Sequence, residues 1–420
     1  MHADTLAIDF GTSNSAASVL ENGRPRRLPV EGAAETLPTA VFFPTEGGPM
    51  LIGAEAAAAL IEGEEGRYMR ALKSVLGTSL FHEERRLGGR RRTLADVVTD
   101  FLAALRGRAE AQAGRRFARA VSGRPVHFHS ADPARDACAE ADLRACYLAA
   151  GFSDVRFVLE PEAAALAAAA DGHGGETGLI VDIGGGTSDF SVFRREGETT
   201  RILASHGVRL GGTDFDHAVS MTHAMPLLGL GGELRRTFGK GLLPVPNDLY
   251  VELSTWAKIA FLYTPETRRA VDEMLRDAVE PARLARFAKV IENQLGHELA
   301  FAVEAGKIAA NDPKAQDARI DMGVVERGLF APITPASRAE ALAEYRAGLR
   351  AAMDETLRMA GLAPAGVGAV VLVGGSSLMG LVGEEAQAAC PEARLSRSDA
   401  FSSVVDGLAW AIGSEAARAA

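Results

Sequence analysis

The alternation of apolar and polar positions marks two segments of the chain as near copies. Residues 6–20 read LAIDFGTSNSAASVL and residues 179–193 read LIVDIGGGTSDFSVF. In each, an apolar run ends at an aspartate, a glycine-containing turn follows, and a second alternating run leads away, which is the pattern of a β-hairpin. Aligned on Asp9 and Asp182, the copies share Gly11 with Gly184, Ser15 with Ser188, Ser18 with Ser191 and Val19 with Val192. One glycine-rich hairpin is commonplace. Two of them, 173 positions apart, predict two related lobes facing each other.

The remaining pattern alternates strands and helices, as an α/β fold requires. Residues 121–129 (VSGRPVHFH) read as a strand with His127 and His129 packed on one face, since no third metal ligand lies near. Pro133–Gly151 predicts a helix and Val155–Leu159 a strand ending at Glu160. Pro161 then suits the first position of a helix continuing through Glu162–Ala170. Residues 171–175 (DGHGG) read as a hinge. Pro244–Ala318 is richly charged and largely helical. Ala369–Val373 reads as a buried strand running into Gly374, Gly375, Ser376 and Ser377, which open a helix; such an N-terminus presents backbone N–H groups to anions. A last helix is expected from about Ser402 to Ala417.

Composition narrows the classes. The 420 residues imply two or more domains, and 47% hydrophobic with 24% charged residues is ordinary globular usage. The formal charge of −10 repels nucleic acid and anionic lipid, so a phosphate ligand must be held by local donors. Neither nucleic acid nor a membrane is expected as a partner. Apolar runs such as Ala163–Ala170 fall far short of the ~20 residues of a membrane helix, and the N-terminus, acidic at Asp4 and Asp9, is no signal peptide. Cys138, Cys146 and Cys390 form neither a metal pattern nor an even disulfide set, which points to the cytoplasm. Gly229–Gly232 follows no strand of a βαβ unit, and Gly239-Lys240-Gly241 lacks the Ser or Thr of a Walker loop. The arginines Arg85, Arg86, Arg90, Arg91 and Arg92 read as a solvated face, with contact to an acidic partner as the alternative.

Asp9 and Asp182 end equivalent strands, each beside a glycine turn. A nucleoside triphosphate with Mg²⁺ needs this division of labour: backbone N–H groups for phosphate oxygens, and carboxylates for an ion that keeps much of its water. Glycine lets the backbone approach the phosphates closely.

These residues resemble the actin-like ATPase superfamily and, within it, the nucleotide-binding domain of DnaK-type heat-shock chaperones. IDFGTSNS resembles the first phosphate loop, VDIGGGTSD the second and VVLVGGSSLM the adenosine motif. TLPTAVFF (36–43), LIGAEA (51–56), LKSVLG around Lys73, LEPEAAAL (159–166), LGGTDFD (210–216) and VEAGKIA (303–309) fall between them in family order. SGRPVHF and MPLLGLGGE also resemble the YegD-type branch.

The resemblance implies a two-lobed α/β fold, each lobe a mixed five-stranded sheet with helices on both faces and an inserted subdomain. Lobe I would be residues 1–172, with its core about 1–35 and 115–172 and its insert about 36–114. Lobe II would be 173–420, with its core about 173–218 and 300–400, its insert about 219–299, and the helix at about 402–417 packing back near the lobe interface. It implies ATP and Mg²⁺ as cofactors. Asp9 and Asp182 would flank the ion's water shell. Gly11, Thr12, Ser13 and Asn14, with Gly184, Gly185, Gly186 and Thr187, would cradle the phosphates, joined by Gly211 and Gly212. Lys73 would reach the γ-phosphate and orient the attacking water, Glu160 would stand behind the metal, and Asp182 or Thr187 would help position the water. Glu304, Lys307 and Ile308, with Gly374, Gly375, Ser376 and Leu378, would form the adenosine side.

Some positions depart from the family. Ile308 and Leu378 stand where it clamps adenine between two arginines, Thr213 where it has an acid, and Asn311 where it has a serine. No acidic–apolar linker or β-rich peptide-binding domain follows Ala420, so ATP-gated peptide capture is not expected. The expected function is a slow, chaperone-like ATPase whose lobes close over Mg–ATP. Its partners would be ATP or ADP and an unidentified client, and it would be a monomer or weak oligomer. Two alternatives stand beside it: a nucleotide-latched scaffold or filament protein, and a small-molecule kinase of the same fold.

Overall fold

The computed structural model describes residues 4–129, 132–170, 177–196, 199–236, 239–312, 314, 315, 317–397 and 403–419. The hinge expected at 171–175 and Ser402 lie outside these residues. The chain divides into two compact units, Met1–Gly212 with Arg346–Ala420, and Thr213–Tyr345.

The larger unit contains two sheets of the same plan. The first runs Asp154–Leu159, Arg119–Arg124, Thr5–Phe10, Asn14–Glu21, Arg24–Leu28, with Thr36–Pro38 added against Asn14–Glu21. The second runs Arg394–Arg397, Ala369–Val373, Thr177–Ile183, Ser188–Glu196, Thr199–Val208. In both, the first two neighbouring pairs are parallel and the last two antiparallel. The short sequence echo is therefore an echo of topology. The central strands are buried on both faces, which explains their continuous apolar runs such as Ala369–Val373.

The strand expected over 121–129 ends at Arg124. Pro125 has no N–H for the ladder, and Arg124 donates to the carbonyls of Pro125 and Val126 at 3.0 and 3.1 Å. His129 is a packing residue, its Nε2 lying 2.7 Å from the Leu76 carbonyl oxygen. The helix after it spans Pro133–Ala149 and begins at Asp132, whose carboxylate accepts the Arg135 N–H, with Pro133 in the first turn. Gly375–Leu378 forms a 3₁₀ turn ahead of the helix Gly380–Ala389, so the glycines precede that helix rather than open it.

The last helix, Ser403–Ala419, packs against the helix Glu160–Ala170 and the first sheet. The packing is tight at Gly407, where an added Cβ would lie 1.8 Å from the Ala163 carbonyl oxygen. Asp406 pairs with Arg27 at 2.7 Å, and Arg156 donates to the Ala411 carbonyl at 3.0 Å.

The smaller unit is mostly helical over the expected charged stretch, with helices Asp248–Leu253, Trp256–Ile259, Pro265–Asp277, Pro281–Glu292 and Gly296–Asn311. Tyr250 stacks on Phe287 in its core, ring centroids 4.5 Å apart. Among the described residues, no helix is long and apolar enough to cross a membrane.

Candidate functional site

The antiparallel register of the two hairpins puts Asp9 opposite Ala16 and Asp182 opposite Asp189. The first turn is tight at Gly11, where an added Cβ would sit 2.2 Å from the Asn14 carbonyl oxygen. The second is closed by the Gly184 N–H donating to the Thr187 carbonyl at 2.9 Å. The two tips meet. A Cβ on Gly185 would come within 2.4 Å of Ser13 Oγ, and one on Gly186 within 3.2 Å of Thr12 Oγ1.

Behind the second tip, an added Cβ on Gly211 would lie 2.6 Å from the Gly186 nitrogen. One on Gly212 would meet Ser376 Oγ at 2.2 Å. Gly374 has φ +80° and brings its backbone against Asp182, with an added Cβ 2.6 Å from Oδ1. At Gly211 and Gly374 the neighbouring backbone leaves no room for a side chain, and Thr12, Ser13, Gly184–Gly186, Gly211, Gly212, Gly374 and Ser376 lie together as backbone and hydroxyl groups.

Beside that lining lies a buried cluster of charge. Lys73 sits on the 3₁₀ turn Leu72–Val75, which begins at Ala71 in the left-handed region at φ 60°, a conformation that costs an L-residue roughly 1–2 kcal/mol. Lys73 is 6% exposed, and its Nζ lies 2.5 Å from Glu160 Oε1. Glu160 stands where the strand Asp154–Leu159 becomes a helix. It packs over Gly123, where an added Cβ would lie 3.1 Å from its Cγ.

Burial alone would push the Lys73 ammonium down, but the charges of Glu160 and Asp9 hold it above its ordinary value. The acids move the other way. Burial and then the Glu160 charge push Asp9 up to about 7, against the pull of Lys73. Burial, Glu160, Asp189 and Asp9 raise Asp182 well above the carboxylate range. Asp189 is pushed up to about 8 by burial and Glu160, although its Oδ1 accepts the Val126 N–H at 2.7 Å. Four carboxyl groups thus crowd one ammonium, an excess of buried negative charge that a divalent cation would relieve. Among the described residues, no group of three or more His, Cys, Asp and Glu side chains is arranged to hold a metal ion unaided.

A family model for the Hsp70 protein matches residues 5–226, a span that holds both hairpins, Lys73 and Glu160. The chain belongs to the Hsp70 family. It is similar to the chaperone protein DnaK of Endomicrobium trichonymphae, 30% identical over 339 residues, 77% of this chain and 50% of that protein. It is also similar to DnaK of Methanothermobacter thermautotrophicus, 34% identical over 51% of this chain and 35% of that protein. DnaK of Metamycoplasma hominis is 32% identical over 51% of this chain and 34% of its own length. The chain spans half or less of the length of these curated relatives.

Not all residues expected at the site belong to the larger unit of this Hsp70-family chain. Glu304, Lys307 and Ile308 lie on the helix Gly296–Asn311 of the smaller unit. There Lys307 is 6% exposed and its Nζ lies 2.6 Å from Asp216 Oδ1, while Trp256 Nε1 donates to Asp216 Oδ2 at 3.0 Å. Burial still raises the Asp216 carboxyl above its ordinary value, against the pull of Lys307. Ile308 and, in the larger unit, Leu378 are exposed. Sequence reasoning assigned no role to Asp189, although it closes the motif VDIGGGTSD. The signal was the hairpin register, which returns a second acid opposite Asp182 where the first hairpin returns Ala16.

Proposed function

We propose that this chain is a nucleotide-binding module that binds Mg–ATP and hydrolyses it slowly, as a chaperone-like conformational switch. The observation that carries the reading is the meeting of Thr12 and Ser13 with Gly185 and Gly186 beside a buried set of acids and one lysine. Gly11, Thr12, Ser13 and Asn14 would hold the phosphates from one side, and Gly184, Gly185, Gly186 and Thr187 from the other. Backbone N–H groups suit phosphate oxygens whatever the sign of the distant field, because charge-assisted hydrogen bonds contribute about 1.5–3 kcal/mol each.

Mg²⁺, when bound, supplies charge neutralisation and polarisation of the phosphate oxygens. Asp9 and Asp182 would orient its water shell, and the raised carboxyls fit that role because they gain most from a nearby dication. Glu160 fixes the Lys73 ammonium, which would turn to the terminal phosphate and orient the attacking water. Asp182 or Thr187 would hold that water. Gly211, Gly212, Gly374, Gly375, Ser376 and Leu378 would take the nucleoside. Lobes 1–172 and 173–420 would close on the triphosphate and relax after hydrolysis. The setting proposed is the cytoplasm, with a client protein as partner.

The test is ATP turnover with Mg²⁺ in the wild type, Lys73→Ala and Asp182→Asn. Turnover should fall by about 10²-fold or more in both variants. Wild-type turnover no greater than that of the variants would exclude an ATPase.

A further inference from the structure

The arginines set aside as a solvated face are arranged in a way that solvation does not explain. They form a two-stranded hairpin, Arg85–Leu87 with Arg90–Arg92, turned by Gly88 and Gly89 at φ 54° and 76°. Its register places Arg85 opposite Arg92 and Arg86 opposite Arg91. Like charges directly across an antiparallel pair destabilise it, so this ribbon opposes its own formation twice.

Local acids offset only part of that repulsion. Glu83 pairs with Arg85 at 2.7 Å, Glu84 with Arg91 at 3.1 Å and Asp100 with Arg92 at 2.5 Å. Arg86 and Arg90 are exposed, and among the described residues neither has an acidic partner. Half-buried Arg67 stands cross-strand from Phe43 and, among the described residues, also lacks an acid. Burial and the charge of Arg85 hold Arg67 below its ordinary value. Six arginines thus share three acids on a protein of net charge −10.

The ribbon also borders a pocket of about 590 Å³. Phe43, Pro49, Met50 and Leu87 supply its apolar lining, and Arg90, Arg92 and Asp100, the acid paired with Arg92, its charged lining. The Arg92 guanidinium lies over the Phe43 ring, 5.8 Å from its centroid.

We propose that this arginine ribbon and the pocket beside it bind an acidic polypeptide segment, its carboxylates on Arg86 and Arg90 and an aliphatic side chain in the pocket. Charge complementarity selects an anion, and the apolar part of the lining selects a ligand that also carries hydrocarbon. A peptide fits better than a nucleic acid. Phe43 is buried and offers no face for stacking bases, and the net negative charge repels a long polyanion beyond the ribbon's short reach. This site is independent of the nucleotide reading.

The experiment is fluorescence anisotropy on the full chain with a short labelled peptide of alternating glutamate and leucine. Its glutamine counterpart and a single-stranded oligo-dT serve as competing probes. The glutamate peptide should bind the wild type and weaken about tenfold in Arg90→Glu. Arg90→Gln should weaken it less, Arg276→Glu on an exposed helix of the other unit should not weaken it, and the glutamine peptide should not bind. Thermal melts should show both Arg90 variants melting with the wild type, because Arg90 is exposed and lies across from Leu87 rather than from another arginine. Absence of peptide binding, equal binding by Arg90→Glu, equal loss in Arg276→Glu, or tighter binding of oligo-dT through Arg90 would each overturn the proposal.

Discussion

Asp189 shows how one residue position changes the electrostatics of a buried cluster. The first hairpin places Ala16 opposite its aspartate, and the second places a carboxyl there, buried and hydrogen-bonded to the Val126 N–H and the Thr187 side chain. A carboxyl raised by folding binds its proton more tightly in the native state than in the unfolded chain. The native state is therefore favoured while that proton is bound, and the benefit is lost as pH rises from the unfolded value near 3.8 through the folded value of about 8. Asp189→Asn keeps the acceptor oxygen and removes the charge. In metal-free protein the substitution should stabilise the fold at pH 8 by at least about 1.4 kcal/mol, the worth of one pKa unit. At pH 5, still above the unfolded value near 3.8, the gain should be smaller but not absent, as urea denaturation at the two pH values would show. Equal effects at both would mean that Asp189 is ionised in the native state at pH 5.

At the scale of elements, the hairpins, the strands Asp154–Leu159 and Ala369–Val373, and the helix after Asp132 were legible because each carries a local signal. Those signals were an apolar run, a glycine turn, or a proline behind a capping acid. The end of the strand at Arg124 was less legible, because the apolar and aromatic residues after Pro125 continue a strand-like pattern. The missing N–H of Pro125 and the fan of bonds from Arg124 decide against it. The pairing of Lys307 with Asp216 joins residues far apart in sequence and leaves no local trace.

The C-terminal helix was readable as a helix, but its partner was not. Only the structure shows why position 407 is glycine. Gly407→Ala would force a methyl group into the backbone of the neighbouring helix at Ala163. It should cost about 2–3 kcal/mol by chemical denaturation. A cost below about 0.5 kcal/mol would show that the two helices separate freely.

At the scale of the molecule, the repeated sheet plan follows from the repeated motif. The tips of the two hairpins lie together, Gly185 and Gly186 against Ser13 and Thr12. What those tips grip is the central functional claim, and it is a claim about coupling between two distant stretches of one chain. Equilibrium binding of Mg–ATP to the wild type, Asp9→Asn, Asp182→Asn and the double variant tests it most directly. If both hairpins hold one triphosphate, the two losses should be non-additive by about 1 kcal/mol or more. Additive losses, or a wild type that does not bind Mg–ATP, would contradict the account.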